Sequence, residues 1–343
     1  MTRLTQAIVN LTRLTSLSTR VLADAPFKAT ALVQRPPSYT VPAFVVSLGT
    51  AGYFGGGRDS VGRLSGIDKI AFPLDTKTTL SAVLTSATAN LSGMGNLAVA
   101  GYFIGGDDSG GFTSRIDKIT FPLDTKTTLS ATLTTARRLS AGMADSGVAG
   151  YVGGGIDSAK VSGIDKITFP ADTKTTLSPT LSTARDALGA MANSGTAGYF
   201  GGGADSGGNI SGIDKITFPA DTKTTLSSGL SSARADQPTG MANSGTAGYF
   251  GGGYDSGLIA GIDKVTFPAD TLTTLSAVLT SARSNLSGMQ NVAVAGYFGG
   301  GEAAAGARQS NIDKITFPAD TKTTLSATLT SARNVLAGMA DSN

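Results

Sequence analysis

Along its hydrophobic and polar positions the chain repeats one pattern: small residues, an apolar run ending in glycines, a loosely alternating segment, and a Thr-rich tail. In the copy that starts near Gly189 these are "GAMANSG", "TAGYFGGG", "SGIDKITFP" and "TKTTLSSGLSS". Ile213, Ile216 and Phe218 alternate with polar neighbours, as a half-buried strand requires. The Thr-rich tail suits an outer strand. Between the last two segments, "FPADT" predicts a tight turn: Pro219 presets φ, and Asp221 can hydrogen-bond its own backbone. No apolar stripe at 3.6 spacing persists, and Thr, Gly, Ser and Pro disfavour helix. Each unit is therefore expected to be four antiparallel strands, A to D in chain order.

The Asp of "IDK" recurs at Asp68, Asp117, Asp165, Asp214, Asp263 and Asp313, at spacings of 48 to 50 residues. A period of that length, built of strands, predicts an all-β fold: a six-bladed β-propeller with one blade per copy. After Arg333 the chain continues "NVLAGMADSN", which matches strand A at Gly338, Met339 and Asp341. Lending it to the first blade would join the two ends of the ring and remove two exposed sheet edges. Residues 42–48, "PAFVVSL", compete for the same place.

The unit resembles the Kelch repeat. Tyr199 with Gly201, Gly202 and Gly203, then Phe218, Pro219, Asp221 and Arg234 stand where Kelch units carry a Tyr strand, a Gly pair, an aromatic strand end, a turn and a closing Arg. The resemblance covers residues 44–343 and implies four-stranded blades. It departs at one hallmark: the expected Trp is Leu, at Leu80, Leu129, Leu177, Leu226, Leu275 and Leu325. Leu can fill a core position between blades.

Residues 1–24 break the pattern. Leu4, Ala7, Leu11, Leu14, Ser18 and Val21 follow a heptad a/d stripe, with Ile8 and Leu22 beside it. This predicts an amphipathic helix with a basic, Thr-rich polar face. Docking into a larger assembly through Leu4, Ile8, Leu11, Leu14 and Val21 is the reading taken; an organelle transit peptide and a membrane-surface helix are the alternatives. The segment is expected to be retained and ordered, because termini fray unless tied down. Residues 25–43 carry Pro26, Pro36, Pro37 and Pro42 and read as a semi-rigid linker. The predicted organisation is thus helix 1–24, linker 25–43 and propeller 44–343.

Composition narrows the chemistry. The 343 residues include no Cys, His or Trp. Disulfides, thiolate metal sites, a Ser/His/Asp triad and His-ligated copper are all excluded. Net charge is +3, but residues 1–40 alone hold five Arg or Lys against Asp24, so the repeats are close to neutral. A neutral body argues against nucleic acid as the main partner. No apolar run approaches the roughly 18 residues of a membrane span. The glycine runs are not followed by a helix signal, as a phosphate loop would be. Recurring Arg137, Arg185, Arg234, Arg283 and Arg333 are expected to bond strand-end carbonyls or the "IDK" Asps. Asp59, Asp108, Asp157, Asp205 and Asp255, one acid per loop, are expected to cap turns rather than bind calcium. No catalytic residue, metal or cofactor is assigned.

What differs between copies is concentrated in the B–C loops and D–A links, which share one face of the disc, while the A–B and C–D turns look nearly constant. Candidate partner-binding residues on that face are Arg58, Arg63, Asp107, Phe112, Lys160, Asn209, Tyr254, Arg308 and Gln309. The expected function is a non-enzymatic structural or recognition module, oligomeric, of a virion component such as a tail, fibre or decoration protein. It would contact other assembly proteins through residues 1–40 and a host protein or glycan through the propeller. The alternatives are a lectin-like propeller, placed extracellularly or on the cell surface, and a sugar-acting propeller enzyme.

Overall fold

The computed structural model describes residues 50–341, so the predicted N-terminal helix, the linker and residues 42–48 lie outside the described residues. It consists of six four-stranded antiparallel sheets arranged as blades around an axis. In blade 4, strand A is Gly189–Asn193, B is Ala197–Gly201, C is Ile213–Thr217 and D is Thr222–Thr225. The A strands of blades 2, 3, 5 and 6 are Ser92–Asn96, Ala141–Asp145, Thr239–Asn243 and Ser287–Asn291. The B–C loops of blades 2 and 4 each add a two-stranded hairpin. Among the described residues, helix is limited to one 3-10 turn, Ala304–Gly306.

Blade 1 is assembled from both ends of the described chain. Ala337–Ala340 supplies strand A beside Ala51–Gly55, with Tyr53 opposite Met339 and Phe54 opposite Gly338. Ile67–Ala71 and Thr76–Thr79 complete the sheet. The Asp341 carboxylate fastens the junction, accepting the N–H groups of Thr50 (2.6 Å) and Ala51 (3.0 Å) and the Thr50 hydroxyl (2.5 Å). The C-terminal match thus takes the closing position.

Strand identity follows from position between neighbouring blades. Strand B (AGYFG in four blades) is buried on both faces, because each blade is covered on both sides. Strand C alternates its core isoleucines with a part-exposed Lys, and strand D is short and mostly exposed. Short, Thr-rich strands bearing Lys make a poor template for edge-to-edge pairing. There is no single core. Six apolar clusters lie one per blade-to-blade seam, and the Leu that replaces the hallmark Trp packs part-buried against each of them.

The glycines divide by task, and the triple-Gly run is not the part that crowds the axis. Gly202 and Gly203 adopt φ of +65° and +99° at the turn out of strand B, a region that L side chains rarely enter. The preceding Gly201 leaves room for the next blade: a β-carbon there would lie 2.8 Å from the Phe250 ring. The axis is instead lined by strand A, where a β-carbon on Gly93 would lie 2.3 Å from the Gly338 carbonyl oxygen.

One seam solves the same volume problem differently. Gly55, Gly153, Gly201, Gly251 and Gly299 each face a Phe of the next blade. At the seam between blades 2 and 3 the pair is Ile104 and Val152, both fully buried in one cluster. The larger residue has moved across the seam while the combined bulk is kept. Val152→Phe alone should overpack this seam and destabilise by about 1–3 kcal/mol, and adding Ile104→Gly should recover most of that loss. Urea unfolding of the two single variants and the double variant measures the coupling. Removing residues 335–343 should lower the melting temperature by on the order of 10 °C, since it strips strand A from blade 1 and exposes its edge. Calorimetry on the truncated chain checks this.

Candidate functional site

Most ionisable groups of the repeat are consumed in holding blades together. Asp214, in strand C of blade 4, accepts from Ser182 N (2.8 Å), Ser182 Oγ (2.9 Å), Thr225 Oγ1 (2.7 Å) and Arg185 Nη2 (3.0 Å). Ser182 and Arg185 belong to the link from blade 3, so one carboxylate ties two blades. Arg185 also donates to the Phe200 carbonyl at 3.1 Å. Both Arg185 and Asp214 have no solvent-exposed side chain. The pairing recurs at Arg333–Asp68, Arg137–Asp165, Arg234–Asp263 and Arg283–Asp313. The recurring Arg therefore reaches both expected partners, carbonyl and carboxylate.

Burial by itself would raise the pKa of these carboxyls, but the guanidinium and hydroxyl donors outweigh it. Asp68, Asp165, Asp214 and Asp313 are held below the ordinary carboxylate range. At the seam between blades 1 and 2 the Arg position is Thr88, and Arg115 arrives instead from the B–C loop. It lies 3.7 Å from Asp117 and donates to Ser86 Oγ (2.5 Å) and Thr88 Oγ1 (3.2 Å).

A second network locks the opposite face. Tyr199 donates to Asp270 Oδ1 (2.7 Å) in the C–D turn of the next blade, and Lys215 bonds the other oxygen at 2.6 Å. The Tyr199 ring stacks on Phe267 at 5.3 Å. The same triad closes every seam, from Tyr53–Asp124–Lys69 round to Tyr297–Asp75–Lys314. Burial first, then the Asp, pushes these phenols above their ordinary pKa, so each remains a proton donor.

On the loop face, six backbone hydrogen bonds form a closed belt around the axial mouth. Leu139 N bonds Asn90 O (3.0 Å), Ala187 N bonds Leu139 O (2.9 Å), and Gln237 N bonds Ala187 O (3.0 Å). Asn285 N bonds Asp236 O (2.7 Å), Val335 N bonds Asn285 O (2.8 Å), and Asn90 N bonds Val335 O (2.9 Å). Every belt residue has positive φ. Blade 5 alone contributes two residues, because its link "ADQPTG" is one longer than its siblings. The extra residue places Gln237, buried, in the lining of a cavity of about 70 Å³ with Ser92, Ser140, Thr239 and Ser287. Gln237 was not among the sequence candidates, although the link length was its signal.

The sequence candidates form a chain of neighbour contacts around the rim and do not converge on one pocket. Arg63 bonds Asp107 across the first seam (2.9 Å through Nε), and Asn90 Nδ2 donates to the same carboxylate at 2.6 Å. Asp107 is buried, so it organises the rim and does not present itself to a partner. Lys160 pairs with Asp186 (3.0 Å) and the Ala204 carbonyl (2.9 Å). Asn209 donates to the Tyr254 carbonyl (2.9 Å), Arg308 to Asn334 (3.3 Å), and Gln309 to the Ala307 carbonyl (2.9 Å). Exposed faces remain on Arg58, on Tyr254 (41% exposed), and on Phe112 (40%), whose ring lies 5.0 Å beneath the Arg138 guanidinium. The loop Asps cap turns: Asp59 accepts from Val61 and Gly62, Asp157 from Ala159, and Asp205 from Gly207.

The expectation that variation sits on one face needs correction. In the C–D turns of blades 1 and 2, Leu74 and Leu123 stand exposed (80% and 79%) where the other blades carry Ala. Leu97, Val99 and Val148 are likewise exposed in the A–B turns of blades 2 and 3. Among the described residues there is no cluster of three or more His, Cys, Asp or Glu placed to hold a metal, and no helix is long and apolar enough to cross a membrane.

These features define a six-bladed β-propeller whose frame is internally neutralised and whose loops differ. Among solved structures the chain is similar to that titled "Structure of YjhT", with TM-score 0.62 and 13% identity over 80% of this chain and 97% of that one. At that identity the likeness is one of fold. No family model matches the chain, and no curated protein matches it in sequence.

The seam carboxylates set a pH dependence. Their folded pKa values lie below the unfolded value near 4, so their stabilisation is complete above about pH 5 and is lost as pH falls through the folded values. The melting temperature should be level from about pH 5 to 7 and drop steeply below about 4. Asp214→Asn, uncharged throughout, should lower the neutral-pH melting temperature, because it strands a buried guanidinium at a cost of about 3–5 kcal/mol, and should flatten the acid limb. Thermal melts across pH 2.5–7 on both proteins measure it.

Proposed function

We propose that this propeller is a non-enzymatic structural and recognition module of a larger assembly, of the kind virions carry as tail, fibre or decoration proteins. One observation supports the reading most: identical ion pairs and stacked rings consume the frame's charges at every seam, while exposed, non-equivalent side chains are left on the loop face. Arg58, Phe112, Tyr254 and Arg308 occupy sites that are equivalent around the ring yet chemically unlike one another. A single asymmetric ligand could engage such a surface. Aromatic and Arg side chains are the usual anchors of recognition surfaces. The sequence pattern of residues 1–24 supports attachment to other assembly proteins, and the absence of His and Cys supports a binding role over catalysis.

The loops of blades 2, 5 and 6 carry Phe112, Tyr254 and Arg308. Replacing them with the blade 4 loop "ADSGGNISG" should abolish binding to a host-cell surface or to a glycan array while leaving the melting temperature within about 2 °C. The blade 2 replacement removes Arg115 and must carry Thr88→Arg to keep the seam charged. Retained binding would reduce the loops to drifted surface and the propeller to a spacer. Binding confined to one glycan class on the array would favour the lectin-like reading.

A further inference from the structure

The exposed Leu and Val side chains opposite the loop face form a patch that the recognition reading does not use. Leu74, Leu97, Val99 and Leu123 project from turns of blades 1 and 2, with Val148 next to them in blade 3. Hydrogen bonds link these turns into one surface: Phe121 N donates to the Val99 carbonyl (2.9 Å), and Leu97 N to Ser146 Oγ in blade 3 (2.7 Å). Tyr53 and Lys69 of blade 1 hold Asp124, the residue after Leu123. The charges beneath the patch are already paired, since Asp75 and Asp124 are bound by Lys314 and Lys69. An exposed apolar surface over a neutralised base is suited to burial against a like surface.

The same face is where the preceding chain departs. The Thr50 carbonyl accepts Phe72 N at 2.8 Å, two residues before Leu74, so residues 1–49 leave the propeller beside the patch. Their sequence carries apolar residues at strict heptad a and d positions, a seam that packs against a second seam of its kind.

We infer that this face is a self-association surface, its occupant the same face of a second copy of this chain. Pairing of the heptad seams tethers two propellers by the face that bears the patch. A flexible tether raises the local concentration to the millimolar range, so a modest apolar contact suffices. The surface lies opposite the loops and does not depend on what they recognise.

The test uses the full chain with Leu74→Ala, Leu97→Ser, Val99→Thr and Leu123→Ala combined. Each is the residue that sibling blades carry at that position, so the blades keep their fold, and an unchanged melting curve verifies it. In sedimentation equilibrium the native chain should self-associate, and the variant should dissociate at a concentration at least about tenfold higher. Equal association of the two proteins would overturn the proposal, leaving any oligomer to the N-terminal segment alone. A native chain monomeric at every concentration would also overturn it, and would assign the patch to the chain's own N-terminal segment or to another protein.

Discussion

At every seam a carboxylate from strand C sits out of water, and the rest of the propeller is arranged around keeping it satisfied. A buried charge is tolerated only when a partner and several hydrogen bonds replace its hydration. Here the donors come from two blades at once: a hydroxyl from the outer strand of its own blade, and a backbone N–H, a hydroxyl and a guanidinium from the preceding link. Neither blade alone can satisfy the group. For Asp68 the donors are Thr330 and Arg333, from the far end of the chain. The first blade is therefore incomplete in charge as well as in strands until the last link arrives, and closure of the ring becomes a requirement of its electrostatics.

Departures from the repeat show which constraints hold. Thr88 replaces the seam Arg, and Arg115 restores a guanidinium near Asp117 from a different strand end. Ile104 replaces a Gly, and Val152 replaces the Phe that would have struck it. What is maintained is the charge and the volume of each seam. The identity of the residue supplying them is free.

The two faces then diverge for a physical reason. On the loop face, hydrogen bonds between each B–C loop and the preceding link, together with the closed belt at the mouth, fix the backbone locally. Side chains can change there without disturbing a seam, so unlike groups can be displayed on an even ring. The opposite face is built from turns whose Asp is committed to the neighbouring Tyr and Lys. Variation there is confined to outward positions such as 74 and 97, and in blades 1 and 2 it is apolar.

The strands, the period, the blade count and the Met339 register of the closing segment were legible in the sequence, because each rests on local alternation or on copy-to-copy identity. So was the turn-capping role of Asp59 and Asp205, which is made within a few residues. The heptad stripe at Leu4, Leu11 and Leu14 is legible in the same way. What sequence could not decide is who meets whom across a seam. Arg185 serves Asp214, not an acid of the unit that precedes it, and Tyr199 bonds Asp270 about 70 residues away. Asp107 reads as a displayed acid but is buried under Arg63 and Asn90, and the axial glycines prove to be those of strand A. These outcomes depend on the rotation from one blade to the next. Curvature of the ring belongs to no single repeat, and only packing the six together sets which side chains fall within hydrogen-bonding distance.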